Sequence, residues 1–145
     1  MARPDDYVLM VEDNEDDITL TLRSFEKQQF PYRIVVLRDG DAALQHLRAA
    51  AGDASRLPVL VLLDLNLPKI RGMDVLREIR LDPRLVKLPV IILSSSVEHR
   101  DRAEAAELRV DRYIRKPIDL HDFGAVAREI QQFLDDRNPP IIPKT

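Results

Sequence analysis

Glu12 and Asp13, Asp64, Ser94 and Lys116 each stand directly after a strand-like run: Tyr7-Val8-Leu9-Met10-Val11, Val59-Leu60-Val61-Leu62-Leu63, Val90-Ile91-Ile92-Leu93 and Arg112-Tyr113-Ile114-Arg115. If those runs are parallel strands of one open sheet, three carboxylates, a hydroxyl and an ammonium meet at its carboxyl edge, where such sheets bind ligands. Carboxylates gathered within a few ångströms repel one another unless a cation shares them. A donor set made only of oxygens suits Mg²⁺ rather than a transition metal. A divalent ion with one lysine, beside one hydroxyl, makes a pocket for a phosphoryl group. The chain has no glycine-rich phosphate loop, so that group arrives on something other than a nucleotide cradled by such a loop.

The elements that must hold these groups follow from the apolar pattern. Val59 to Leu63 is a continuous apolar run between flanking prolines, too short for a helix, and predicts a strand buried on both faces with Asp64 at its carboxyl end. Tyr7 to Val11 predicts the first strand, and Asn14 then caps a helix whose first turn holds Glu15, Asp16 and Asp17 against the amino end of the helix dipole. Ile34 to Leu37 is the second strand, and Asp39-Gly40-Asp41 opens a helix that Gly52 stops. After Asp64 a proline-containing loop reaches Gly72, where a third helix starts and runs to Asp82-Pro83. Pro89 to Leu93 is the fourth strand. A fourth helix, roughly Val97 to Leu108, is mostly charged residues and alanine, which predicts thin packing. A short strand from Arg112 to Arg115 precedes Lys116-Pro117, and a last helix begins at Asp119 with Phe123, Val126, Ile130 and Phe133 on its core face. Strands alternating with helices predict an α/β fold with a doubly wound, five-stranded parallel sheet.

Composition narrows the function classes. The 145 residues suggest one domain with a sizeable core. The net charge of -3 argues against a general binder of nucleic acid or anionic membrane. Absence of cysteine excludes disulfides, iron-sulfur clusters and thiolate zinc sites, and fits a reducing compartment. No apolar run resembles a signal core or a membrane span, so the expectation is a soluble, cytoplasmic protein.

Each candidate also has a plainer reading. Glu15, Asp16 and Asp17 read as helix-start electrostatics rather than ligands. Asp64 alone would pass for a turn cap, but only five of the 22 basic residues are lysines, which makes a lysine at the fifth strand's end less accidental. Ser94 competes with Ser95 and Ser96, any of which could cap the next helix. Tyr113 reads equally as a packing residue or as a switch. His46, His99 and His121 lack metal-ligand spacing and read as surface histidines.

Val11-Glu12-Asp13, Leu62-Leu63-Asp64-Leu65-Asn66-Leu67-Pro68 with Gly72, the hydroxyl after Ile91-Ile92-Leu93, and Tyr113-Ile114-Arg115-Lys116-Pro117 are four pieces in order, each at a strand end. Over residues 7 to about 134 the chain thereby resembles the receiver domains of bacterial two-component response regulators. The resemblance implies a flavodoxin-like sheet of strand order 2-1-3-4-5. It implies Asp64 as phosphoacceptor, with Mg²⁺ held by Asp13, Asp64 and the backbone carbonyl of Asn66, and Glu12 acting through a bound water. Lys116 is cast as the cation that pairs with the phosphoryl group, Ser94 as the hydroxyl that moves to it, and Tyr113 as the aromatic that turns inward. A cis bond before Pro117 is common in the family. Arg71 departs from the acidic residue often found before the glycine, and Ser94 replaces the commoner threonine.

The implied function is that of a signalling phosphoprotein rather than an enzyme, with slow loss of its own phosphoryl group. Its partner is a sensor histidine kinase. The Asp-Leu-Asn-Leu-Pro loop, the triple serine and the Asp82-Pro83 loop are similar to single-domain regulators that pair with bacterial phytochrome kinases. Residues 1–136 are expected to form the receiver domain and residues 137–145 a proline-rich tail, with no output domain. The signal then leaves through the face of the fourth helix, fifth strand and fifth helix. There Arg100, Arg102, Glu104, Glu107, Arg112 and Arg115 offer both signs of charge for a homodimer, and Ile141-Ile142 suggests a tail that reaches a second subunit or folds back. Gly124 inside the last helix suggests close approach by a neighbour. Two other classes compete. A phosphatase of the haloacid dehalogenase type needs a general acid two residues after its aspartate, where this chain has Asn66. A receiver-like scaffold that is never phosphorylated would keep the fold without the chemistry.

Overall fold

The protein was analysed as a computed structural model that describes residues 3–137. Five strands, β1 (Tyr7–Val11), β2 (Arg33–Leu37), β3 (Leu60–Leu63), β4 (Val90–Ser94) and β5 (Arg112–Arg115), form one parallel sheet of order β2-β1-β3-β4-β5. They alternate with α1 (Glu15–Lys27), α2 (Gly40–Ala50), α3 (Gly72–Leu81), α4 (His99–Glu107) and α5 (Phe123–Arg137). The expected fold class and strand order are both observed.

The parallel sheet is covered on both faces, which is why β1, β3 and β4 are apolar at almost every position and fully buried. Alternate residues serve two cores. Leu9, Val11, Val61, Leu63 and Ile92 pack with α2 and α3 through Leu44, Leu47, Leu76 and Ile79. Val8, Met10, Leu62, Ile91 and Leu93 pack with α1 and α5 through Phe25, Val126, Ile130 and Phe133.

Local signals explain most element boundaries. Asn14 caps α1 by accepting the Asp17 amide, and Asp39 caps α2 by accepting the Ala42 amide. Helix α4 buries only Ala105, the thin packing its composition predicts. It begins at His99 rather than Val97, because Ser96 Oγ accepts the Glu98 amide at 3.4 Å and bonds Asp101 at 2.5 Å, holding the preceding residues in a loop. Asp119 does cap a helical turn, through the His121 amide, but that turn is the 3-10 segment Leu120–Asp122 and α5 proper starts at Phe123.

Other expectations need correction. No cis peptide occurs among the described residues, so the bond before Pro117 is trans, the form an X-Pro bond favours by about 0.5–1 kcal/mol. Gly124 is approached through its carbonyl, which accepts the Gln28 side-chain amide at 2.8 Å, but that approach does not require glycine, since a Cβ there would meet only the end of the Arg128 side chain, at 3.4 Å. His46 is half-buried and bonds the Tyr7 hydroxyl through Nε2 at 2.9 Å, so it closes a side-chain contact instead of facing water, whereas His99 and His121 are exposed. The tail with Ile141-Ile142 lies outside the described residues.

Candidate functional site

Strand register brings the carboxylates together. Val11 pairs with Leu63, so the next residues, Glu12 and Asp64, stand side by side, and the Asp64 amide donates to the Val11 carbonyl at 3.1 Å. Ser94 pairs with Arg115, and the Lys116 amide donates to the Ser94 carbonyl at 2.8 Å. Lys116 is thereby launched from the β5 end toward the β1 and β3 ends. Its Nζ lies 2.6 Å from Glu12 Oε1, 2.8 Å from Asp17 Oδ2 and 3.1 Å from Asp64 Oδ2. Three carboxylates thus surround one ammonium, which hydrogen-bonds Asp17 and Asp64 and ion-pairs with Glu12.

Glu12 is the buried anchor of the cluster. Its Oε2 accepts the amides of Asp13 at 2.9 Å and Asn14 at 3.2 Å, and the residue is 2 % exposed. Burial lifts its carboxyl, Lys116 pulls it back, and the adjacent Asp64 lifts it again, leaving its pKa up at about 7 against an ordinary 4.5. For Lys116, burial works to lower the pKa, but hydrogen bonds to Asp17 and Glu12 and the charge of Asp64 outweigh it, so the ammonium is held above its usual value. Lys116 therefore stays charged, and the rim carries more negative charge than one ammonium neutralises.

That excess is what a divalent cation would relieve. Among the described residues no three His, Cys, Asp or Glu side chains are spaced as a metal cage. The donor set expected from the sequence has two carboxylates and a backbone carbonyl, so it falls below that count. Asp13 and Asn66 are both exposed; the Asp13 amide donates to Glu12 Oε2 at 2.9 Å, and the Asn66 amide approaches Oδ1 of buried Asp64 at 3.4 Å. All are oxygen donors suited to Mg²⁺, and the Glu12 carboxyl lifted toward neutrality fits a site short of positive charge.

The loop after β3 is held by backbone contact. A Cβ on Gly72 would lie 2.0 Å from the Asp64 carbonyl oxygen and 2.7 Å from Leu65 Cα, so the start of α3 packs directly on the backbone that carries Asp64. The Gly72 amide also donates to the Leu65 carbonyl at 3.0 Å.

The hydroxyl side of the site is linked to α4. Ser94 is fully buried, and its Oγ accepts the Ser96 amide at 3.2 Å. Tyr113, half-buried, donates to the Ser96 carbonyl at 3.1 Å, and the Arg102 guanidinium lies 4.7 Å from the ring centroid. One short loop therefore joins Ser94, Tyr113 and α4. Glu12, Asp64 and Lys116 meet directly, Asp13 and Asn66 border them, and Ser94 and Tyr113 sit one loop away.

Asp17 is the residue that sequence reasoning missed. No local signal singles it out: Asp13 lies before the Asn14 cap, outside α1, so helical spacing does not link the two. Sharing a first turn with Glu15 and Asp16 disguised it as dipole compensation.

Comparison with known proteins fits this geometry. A sequence model described as the response regulator receiver domain matches residues 8–128. The probable methanogenesis regulatory protein FilR2 of Methanothrix harundinacea is 40% identical over 126 residues, covering 87% of this chain and 81% of FilR2. Response regulator Rcp1 of Synechocystis is 35% identical, covering 91% of this chain and 90% of Rcp1. Among solved structures, the phosphorylated cyanobacterial phytochrome response regulator RcpA superposes with a TM-score of 0.81 at 36% identity, over 96% of this chain and 99% of RcpA. The Mn²⁺-bound form of Rcp1 gives 0.81 at 33%, over 96% and 99%. The bacteriophytochrome response regulator AtBRR gives 0.69 at 37%, over 88% and 92%.

Proposed function

The chain belongs to the response regulator receiver family, and on that premise we propose that Asp64 accepts a phosphoryl group from the phosphohistidine of a sensor kinase. The observation that carries this is the placement of Lys116 Nζ 3.1 Å from Asp64 Oδ2 at the carboxyl edge of the sheet. In the transfer, an Asp64 carboxylate oxygen bonds to phosphorus as the phosphorus–nitrogen bond breaks. The electron pair leaves on the imidazole, which then takes up a proton. Lys116 neutralises charge on the phosphoryl oxygens, and buried Glu12, fixed by two backbone amides, holds the ammonium in reach. Asp13, Asp64 and the Asn66 carbonyl would hold Mg²⁺, with Glu12 acting through water, and the ion supplies further charge neutralisation at the phosphoryl oxygens. Occupancy of Rcp1 by Mn²⁺ supports a divalent ion here.

The acyl phosphate adds charge of roughly -2. Ser94 answers it with its hydroxyl, and the loop through Ser96 passes the change to Tyr113 and α4. The face of α4, β5 and α5 is the output surface and the seat of a homodimer, to which the tail contributes. Part of its charge is already committed within the chain, since Glu104 pairs with Arg77 and Arg102 covers Tyr113. Arg100, Glu107 and Arg115 are exposed and serve the partner contact. Residues 1–136 act as the receiver domain and residues 137–145 as its tail, in the cytoplasm, without nucleic acid or membrane as partner. Likeness to RcpA and AtBRR supports a phytochrome-type kinase as donor.

Incubation with acetyl phosphate and Mg²⁺, followed by intact mass, tests the reading. One phosphoryl adduct that Asp64→Asn abolishes is the expected result. Absence of any adduct points to an unphosphorylated scaffold, and rapid turnover of phosphomonoesters to a phosphatase; either outcome defeats it.

A further inference from the structure

The Lys116 ammonium has three N–H donors and is already crowded by three carboxylates: it hydrogen-bonds Asp17 and Asp64 and lies in ion-pair contact with Glu12 at 2.6 Å. A phosphoryl group on Asp64 brings oxygens that need a donor from the same ammonium, so one carboxylate has to give up its share. Glu12 is poorly placed to do so, because its side chain is 3 % exposed and no water can replace the ammonium there. Asp64 itself carries the incoming group. Asp17 differs from both: its side chain is 24 % exposed, so water can solvate the carboxylate once the lysine leaves. Its backbone, by contrast, is anchored, with the amide on Asn14 Oδ1 at 3.0 Å and the carbonyl accepting the Thr21 hydroxyl at 2.7 Å.

Resting on the reading of Asp64 as phosphoacceptor, we propose that Asp17 is a positioning residue that holds Lys116 back in the unphosphorylated protein and yields it to the phosphoryl group. Each phosphorylation then exchanges a Lys116–Asp17 pair for a Lys116–phosphoryl pair; only hydrogen bonds are exchanged in that step. Two consequences follow. Asp17 slows phosphoryl uptake, since its hold on the ammonium must be broken first. The exchange also unties the first turn of α1 from the end of β5, so the start of α1 registers phosphorylation independently of Tyr113 and α4.

The test uses the full chain. The ¹³Cγ resonance of Asp17 is followed as Mg²⁺ and beryllofluoride, a phosphoryl mimic, are added; it moves toward a solvated carboxylate while that of Asp16 stays put. Intact-mass time courses with acetyl phosphate and Mg²⁺ then compare variants. Asp17→Asn takes up the phosphoryl group about fivefold faster, the scale of a partly exposed ion pair. Asp17→Glu returns to the pace of the unsubstituted protein, and Asp16→Asn, which removes the same charge one residue away, changes nothing. An unmoved Asp17 resonance with the mimic bound overturns the proposal. So does an Asp17→Asn rate equal to or below that of the unsubstituted protein. If Asp17→Asn does not fold, the resonance in the unsubstituted protein decides. If the unsubstituted protein neither binds the mimic nor gains an adduct, the phosphoacceptor reading has failed and takes this inference with it.

Discussion

Replacing Glu12 by Gln probes the electrostatics of the site through stability alone. Glu12 is 2 % exposed and its pKa is held up at about 7, against an ordinary 4.5. Between those two pH values the folded chain keeps a proton on Glu12 that the unfolded chain has released. Stability therefore falls as pH rises through that window and levels off above about 7. At 1.36 kcal/mol for each pH unit, the interval bounds the loss at about 3 kcal/mol. For a chain of this length that is roughly 6–12 °C in Tm. Glutamine keeps the shape but cannot titrate, so its Tm lacks this component. The assay is thermal unfolding followed by circular dichroism from pH 4.5 to 8, with chelator, taken as the difference between Glu12→Gln and the unsubstituted protein so that other groups cancel. The difference should grow in the variant's favour as pH rises, and millimolar Mg²⁺ should shrink it by favouring the ionised carboxylate. Parallel Tm curves for the two proteins across the window, without metal, would refute the argument that burial beside Asp64 sets the charge of this site.

Three further outcomes are expected. Gly72→Ala forces a Cβ to within 2.0 Å of the Asp64 carbonyl oxygen, so the loop must shift; urea unfolding should lose about 1–3 kcal/mol, and phosphoryl uptake by intact mass should fall about a hundredfold as Asp64 is displaced. Arg80→Met removes a buried guanidinium that donates to the carbonyls of Leu108, Val86, Leu88 and Arg109 and pairs with Asp111 at 3.5 Å; the cost is about 3–5 kcal/mol, with faster amide exchange at the end of α4, and Arg80→Lys does not restore it. Gly124→Ala, whose Cβ would meet only the movable end of the Arg128 side chain at 3.4 Å and which has no positive φ, should stabilise by about 0.5–1 kcal/mol in urea midpoint measurements.

Sequence alone determined what depends on local pattern. Doubly buried strands must be apolar throughout, so β1, β3 and β4 stood out, and the first polar residue after each strand named the rim of the sheet: Glu12, Asp64, Ser94 and Lys116. Asn14 and Asp39 announced their helices because a cap is a contact between residues close in sequence.

Tertiary structure decided what depends on register and on long side chains. Nothing near Asp17 distinguishes it from Glu15 and Asp16; only the approach of Lys116, 99 residues away, turns one of three helix-start carboxylates into a ligand of the ammonium. Arg80 reads as one more surface arginine until four backbone carbonyls from two loops converge on it. His46 meets Tyr7 for the same reason, across 39 residues. Local preference follows from the chain's own sterics and hydrogen bonding, whereas the partner of a charged group is set by which strand ends the sheet places side by side.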